Sequence, residues 1–280
     1  MLTLFAQAAQ AQPNALSRFP MAVLVPMLGL PAFWIAAFIF FVIKCAIFGM
    51  ERSPRIDQLT KTPWLPRIVM EFAYWMFRIP VRICIALHIT PNMITFGSLL
   101  LTVLGAVLVG IGQFALGGWT LLFAFTCDAL DGIVARATNQ STASGEFFDS
   151  TIDRYNDLIA FLGYLYYYRD NLLAFVLCAT ALVGSTVVSY SRAKGDAVGI
   201  NANVGYMQRH ERGTYLGIAT LLAPILSAYI EPANRQPSYP LVILILGVLA
   251  VMTHVTALMR ISVVMKGLKD RAAKSPSAAA

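Results

Sequence analysis

Charge is scarce in this sequence. Only 12% of its 280 residues are Asp, Glu, Lys or Arg, about half the roughly 25% usual in soluble domains. That shortage speaks against a soluble enzyme. With 58% hydrophobic residues and a mean hydropathy of +0.67, the composition is that of a polytopic membrane protein. Cysteine and histidine are sparse as well. Cys45, Cys84, Cys127 and Cys178 form no CxxC pair, which speaks against a disulfide framework or a zinc site and leaves small apolar packing as their role. His88, His210 and His254 lie far apart and lack ligand spacing, so no histidine metal site is expected. The N-terminus has no basic n-region and no compact apolar core, so it does not read as a cleaved secretory signal. There is no repeat at a solenoid period, and the one low-complexity stretch is the tail "SPSAAA".

What the chain does have is long apolar runs. A membrane span needs about 20 mostly apolar residues, and candidates fall at 21–48, 92–113, 116–138, 144–168, 171–192, 213–230 and 240–263. Between the first two, the stretch from Leu65 to His88 mixes Phe72, Tyr74 and Trp75 with Arg67, Arg78 and Arg82. That mixture suits a helix lying in the membrane interface, and Pro80 is expected to kink it. Basic residues set the orientation. With the segment after the first span in the cytoplasm, 14 Lys and Arg residues fall on that side, from Lys44 to Lys274, and only Arg18, Arg169 and Arg235 fall opposite. The loops 137–143 and 193–212 are then cytoplasmic, and "YYYRDN" and "EPANRQPSYP" external. Basic loops beside spans also account for the net charge of +7, with anionic membrane lipids as partners and no nucleic acid. The expected location is the inner membrane of a bacterium.

Negative charge is concentrated in one place. Six of the 14 acidic residues fall within "CDALDGIVARATNQSTASGEFFDSTIDRYND", residues 127–157. Asp128 and Asp131 are three apart, about 60° around a helix, and Asp149 and Asp153 are four apart, about 40° around the next. Each pair lies near the cytoplasmic end of its span, so the two pairs can face one another. Four converging carboxylates repel unless cations compensate them, and oxygen-only ligands favour Mg²⁺ or Mn²⁺, with Ca²⁺ also open. The plainer alternative is that the acids pair with Arg136 and Arg154 and lock two helices together. Gly132 and Gly145 each weaken a helix by about 1 kcal/mol, which close approach of a ligand or a facing helix would offset. Ala135 keeps the same wall small, and Arg136 adds a cation suited to phosphate.

The pattern Asp128-x2-Asp131-Gly132-x2-Ala135-Arg136-x8-Gly145-x3-Asp149-x3-Asp153 resembles that of the CDP-alcohol phosphotransferases at all eight specified positions. "HITPNMIT", ahead of the first core span, is similar to the segment that opens the family's core. The resemblance covers residues 65 to 265. It implies an all-α polytopic membrane protein with a six-transmembrane-helix core, usually a homodimer. The interfacial helix and an extra N-terminal hydrophobic span would be added to that core. Three regions follow: a hydrophobic span and basic linker at 1–64, the catalytic membrane domain at 65–265, and a basic cytoplasmic tail at 266–280. By position, the resemblance implies Asp128, Asp131 and Asp149 as metal ligands, with two Mg²⁺ expected and Mn²⁺ as the alternative. It implies Asp153 as general base, touching the second ion. It sets Asp128, Gly132, Ala135, Arg136 and Gly145 beside the cytidine diphosphate of a CDP-linked lipid such as CDP-diacylglycerol. Asp157 lies outside the fixed set and is expected to support it, through Arg154 or another neighbour.

The acceptor is read from the cytoplasmic stretch 189–215. Arg192 ends one span, Arg212 begins the next, and Arg260 sits near the cytoplasmic end of the last. Three such guanidinium groups would bind a phosphate on the acceptor. "SYSRAKGDAVG" with the later "ER" is similar to the phosphatidylinositol-phosphate synthases of the family, which implies inositol 1-phosphate as acceptor. The alternatives are glycerol 3-phosphate, serine or another alcohol. A divalent-metal transporter is the more distant rival. It would need a polar path to both membrane faces, and the acids lie at one.

Overall fold

The computed structural model describes residues 21–49, 67–231 and 237–274, and among these every regular element is a helix. In chain order they are α1 (Met21–Phe48), α2 (Arg67–Ala86), α3 (Pro91–Gly110), α4 (Phe114–Ala137), α5 (Ala143–Tyr167), α6 (Leu172–Ala197), α7 (Arg209–Ile230) and α8 (Pro240–Lys274). Their starts follow from local chemistry. Thr90 caps α3, accepting from the Met93 amide, with Pro91 at the first helical position. Thr142 caps α5 by accepting from Gly145, and Asn171 caps α6 by accepting from Ala174. Gln208 and Glu211 form a reciprocal capping box at α7.

The expected spans match these helices to within a few residues at most ends. The largest difference is at the C-terminus, where α8 continues through Lys274. Residues 266–274 thus continue the last helix. Arg271 in this extension donates to the carbonyls of Val198 and Gly199, at 2.6 and 2.5 Å, and ties α8 to the loop after α6. The helix α2 runs continuously through Pro80.

Among the described residues, α3, α4, α6, α7 and α8 are long and apolar enough to cross a membrane. Large apolar side chains such as Leu100, Leu104, Val176, Leu244 and Val251 point outward, as lipid-facing surfaces require and water-facing ones avoid. The molecule is an integral membrane protein. The helix α5 is of spanning length, but its acids take it outside that group of five. It packs on α3 and α6, while α4 packs on α3 and α7, and α8 on α6 and α7.

Two glycines let helices meet backbone to backbone. A Cβ at Gly163 of α5 would collide with the Ala106 main chain of α3, and one at Gly118 of α4 would come within 2.6 Å of the Leu221 amide of α7. The core between them is filled by Val109, Phe114, Tyr164, Tyr168, Cys178, Leu246 and Leu249. All four cysteines are free, as small packing residues should be.

The two ends of the bundle differ. At one, Phe114 stacks on Tyr239 at 3.9 Å beside Tyr167 and Tyr168, and Tyr167 donates to the Pro237 carbonyl. At the other lie the C-terminus of α4, the N-termini of α5 and α7, and all the clustered acids.

Candidate active site

Three carboxylates meet first. Asp128 and Asp131 project from the last turns of α4, Asp149 from the second turn of α5, and one oxygen of each lies within 4.8 Å of the others. Asp131 is buried. It accepts from the Thr95 hydroxyl at 2.5 Å and from the Gly132 amide at 2.5 Å. Those two donors fix its oxygens while α3 supplies the wall behind it. An all-oxygen set of clustered carboxylates is one that binds a hard divalent cation.

Beside this trio opens a cavity of about 840 Å³, lined in part by Asp131, Gly132, Ala135, Arg136, Gly145 and Asp149. Thr90, Pro91, Asn92 and Thr95, from the stretch "HITPNMIT", complete one wall. The cavity explains the small residues. A Cβ at Gly132 would press on the Arg136 guanidinium at 3.2 Å, and one at Gly145 would reach Thr142 at 3.2 Å and Asn92 at 3.7 Å. Side chains there would displace the polar groups that line the space.

Asp153 lies one turn further along α5, and its nearest cation comes from another helix. Arg209, the first residue of α7, is bidentate to Asp128 at 2.5 and 3.2 Å, 2.9 Å from Asp153 and 3.4 Å from Asp157. Arg154, by contrast, donates to the Ser150 carbonyl and stays 3.8 Å from Asp153. Thus the acids are not merely pinned by the arginines of their own two helices. A third helix supplies the compensating cation. From sequence, Arg209 reads as one more cytoplasmic charge of the positive-inside pattern. The available signal was its place three residues before Arg212 at a span's start, opposite four acids that need a cation. Asp157 takes the second of its two expected options, pairing with Arg212 at 3.1 Å and with Arg209 rather than with Arg154.

The three arginines read as an acceptor clamp are brought to one region. Arg212 is buried and donates to the Met207 carbonyl, Asp157 and Ser189. Arg260 is buried and donates to the carbonyls of Val188 and Val204. Val188 and Ser189 are adjacent on α6, one turn before Arg192, and both Arg192 and Arg212 act electrostatically on Arg260. Arg192 is the exposed member, 3.9 Å from Asp196. A small cavity of about 70 Å³ reaches Asn156, Asp157, Arg209 and Arg212 from the apolar core.

Comparison with known proteins agrees with this geometry. A phosphatidylinositol phosphate synthase of Cutibacterium acnes is 29% identical over 161 residues, 55% of this chain and 72% of that one. An archaetidylinositol phosphate synthase of Pyrococcus horikoshii is 35% identical over 137 residues, 49% of this chain and 71% of that one. The crystal structure of Mycobacterium tuberculosis phosphatidylinositol phosphate synthase with CDP-DAG bound superposes with a TM-score of 0.59 at 25% identity, covering 67% of this chain and 92% of that one. The same enzyme in complex with manganese and citrate gives a TM-score of 0.58 at 25% identity, over 68% and 88%. The family model for CDP-alcohol phosphatidyltransferase matches residues 88–265, from the foot of α3 into α8 and across every residue of the carboxylate cluster. This chain belongs to the CDP-alcohol phosphatidyltransferase family.

Proposed function

We propose that the chain is a phospholipid-synthesis transferase that moves the phosphatidyl group of a CDP-linked lipid, such as CDP-diacylglycerol, to inositol 1-phosphate and releases CMP. One observation carries the reading. Of the eight motif residues, six line the single 840 Å³ cavity, and the other two, Asp128 and Asp153, share Arg209 beside it.

Asp128, Asp131 and Asp149 would hold one divalent ion, and Asp153 with Asp128 a second, Mg²⁺ being expected and Mn²⁺ the alternative. Ions bound there would neutralise the diphosphate and stabilise the charge that develops in an in-line displacement. Gly132, Ala135 and Gly145 leave room for the cytidine diphosphate, and Arg136 offers it a cation. Asp153 takes the proton of the acceptor hydroxyl as its oxygen bonds to the lipid-side phosphorus and the bond from that phosphorus to CMP breaks. Base catalysis of this kind contributes typically about 10²–10⁴-fold. Arg192, Arg212 and Arg260 hold the acceptor's phosphate by charge-assisted contacts.

The same reading includes α5 as the sixth core span, its polar face turned to the cavity, and a homodimer as the working assembly. It places the cavity at the cytoplasmic face of a bacterial inner membrane, a side supported by the bias of Lys and Arg to that end. The discriminating experiment supplies CDP-diacylglycerol and Mg²⁺ with inositol 1-phosphate, glycerol 3-phosphate, serine or free inositol, and identifies the lipid formed. Preference for inositol 1-phosphate supports the assignment. Preference for glycerol 3-phosphate or serine would keep the chemistry and replace the acceptor.

A further inference from the structure

The Arg209 guanidinium sits where Asp128 and Asp153 come closest to sharing a cation. It takes both oxygens of Asp128, at 2.5 and 3.2 Å, and one of Asp153 at 2.9 Å. Asp128 thus belongs to two groups at once. With Asp131 and Asp149 it forms the carboxylate trio, and with Asp153 it forms a notch filled by a protein cation. A guanidinium and a divalent ion cannot occupy that notch together, because two cations would face each other across the same oxygens at close range. The two ion positions are therefore unequal by construction.

We infer that Arg209 is an internal competitor for the second divalent cation, and that it withdraws from Asp128 and Asp153 when that ion binds. The geometry gives it somewhere to go. The capping box of Gln208 and Glu211 fixes its backbone at the start of α7, so only the long side chain moves. Its Nε lies 3.4 Å from Asp157, which is itself held by Arg212 at 3.1 Å. Asp157 can keep hold of the guanidinium as Asp128 and Asp153 are released. This gives Asp157, outside the eight-residue motif, a task as the resting partner of Arg209.

The inference rests on the proposed two-ion reading, and Mn²⁺ binding separates the two. Titration of the full-length protein in detergent, followed by the loss of the free Mn²⁺ electron paramagnetic resonance signal, should show a tight and a weaker site. Arg209→Gln should tighten the weaker site by about tenfold or more, the scale of one lost charge-assisted contact, and the tight site, which shares Asp128 but not Asp153, by clearly less. Arg209→Lys, which keeps the charge and loses the fork, should fall between. Equal tightening of both sites would mean a general field effect and would overturn the inference, as would unchanged or weaker binding. Wild-type protein that binds only one ion, or none, would sink the two-ion reading itself. Should Arg209→Gln prove too unstable to titrate, thermal unfolding with and without Mn²⁺ decides the matter on Arg209→Lys. Mn²⁺ should raise its Tm by more than it raises that of wild type, and an equal or smaller rise would overturn the inference.

Discussion

Asp153 and Asp131 differ in what holds them, and that difference sets what their loss should do. Asp153 faces cations, with Arg209 at 2.9 Å and Arg154 at 3.8 Å. Asp153→Asn should reduce turnover by about 10²-fold or more, the contribution of a lost base, while Mn²⁺ still binds at the trio. Turnover close to wild type would remove Asp153 from the proton step. Asp131 instead is locked by Thr95 and Gly132. Asp131→Asn should shift the metal dependence of the rate to higher Mg²⁺, and an unchanged Mg²⁺ titration would contradict its role as a ligand. Thr95→Val is the milder case. It removes one buried hydrogen bond to a carboxylate and should weaken the Mg²⁺ response without abolishing turnover.

At the scale of helices, the bundle depends on close backbone approach more than on interlocking large side chains. Gly163→Ala places a methyl group against the Ala106 main chain, and neither helix can yield without shifting its neighbours. Overpacking of that kind costs about 1–3 kcal/mol, so Tm in detergent should fall. Gly97→Ala is the control, because nothing lies within 4 Å of its added Cβ. That variant should stay within about 1 kcal/mol of wild type, and a comparable loss at both positions would mean that crowding is not the cause. The end of α7 is tied to the start of α8 through Glu231. Glu231 accepts from Ser227 at 2.8 Å and from the Ser238 amide and hydroxyl at 2.9 and 2.8 Å. Burial alone would raise its carboxyl, but these hydrogen bonds outweigh it and take it below the ordinary glutamate value. The stabilisation is therefore present above the ordinary carboxylate range and is lost as pH falls through the lowered folded value. Glu231→Gln should lower Tm at neutral pH, and the gap from wild type should narrow on acidification. A gap that does not change with pH would assign the effect to packing.

At the scale of the molecule, the sequence and the structure agree on most of the frame. Apolar runs of about 20 residues leave little choice but helices across a bilayer, so the spans could be placed to within a few residues. The eight-residue pattern could be placed on two consecutive helices because three- and four-residue spacings fix one face, although α3 packs between the two. What could not be read was partnership between distant segments. Arg209 is 81 residues from Asp128, and no local spacing links them. Arg271 reaching back to Val198 and Gly199 is the same kind of contact. Arg260 adds a further case, since it was read as a phosphate ligand and is also bound to two main-chain carbonyls. Arg192→Ala should therefore weaken acceptor binding roughly ten- to a hundredfold with little change in Tm. Arg260→Ala should do both, weakening the acceptor and lowering Tm, because the carbonyls of buried Val188 and half-buried Val204 lose their donor. A normal Tm in Arg260→Ala would show that its main-chain bonds carry little stability.

The central claim is that the carboxylate cluster catalyses transfer from a CDP-linked lipid. Its most direct measurement is CMP release from CDP-diacylglycerol by the purified full-length protein, with and without inositol 1-phosphate and with and without Mg²⁺. CMP should appear only when both are present, in step with formation of the phosphorylated inositol lipid, and chelation of the metal should stop it. CMP release at the same rate without metal, or no CMP with any alcohol acceptor, would contradict the account.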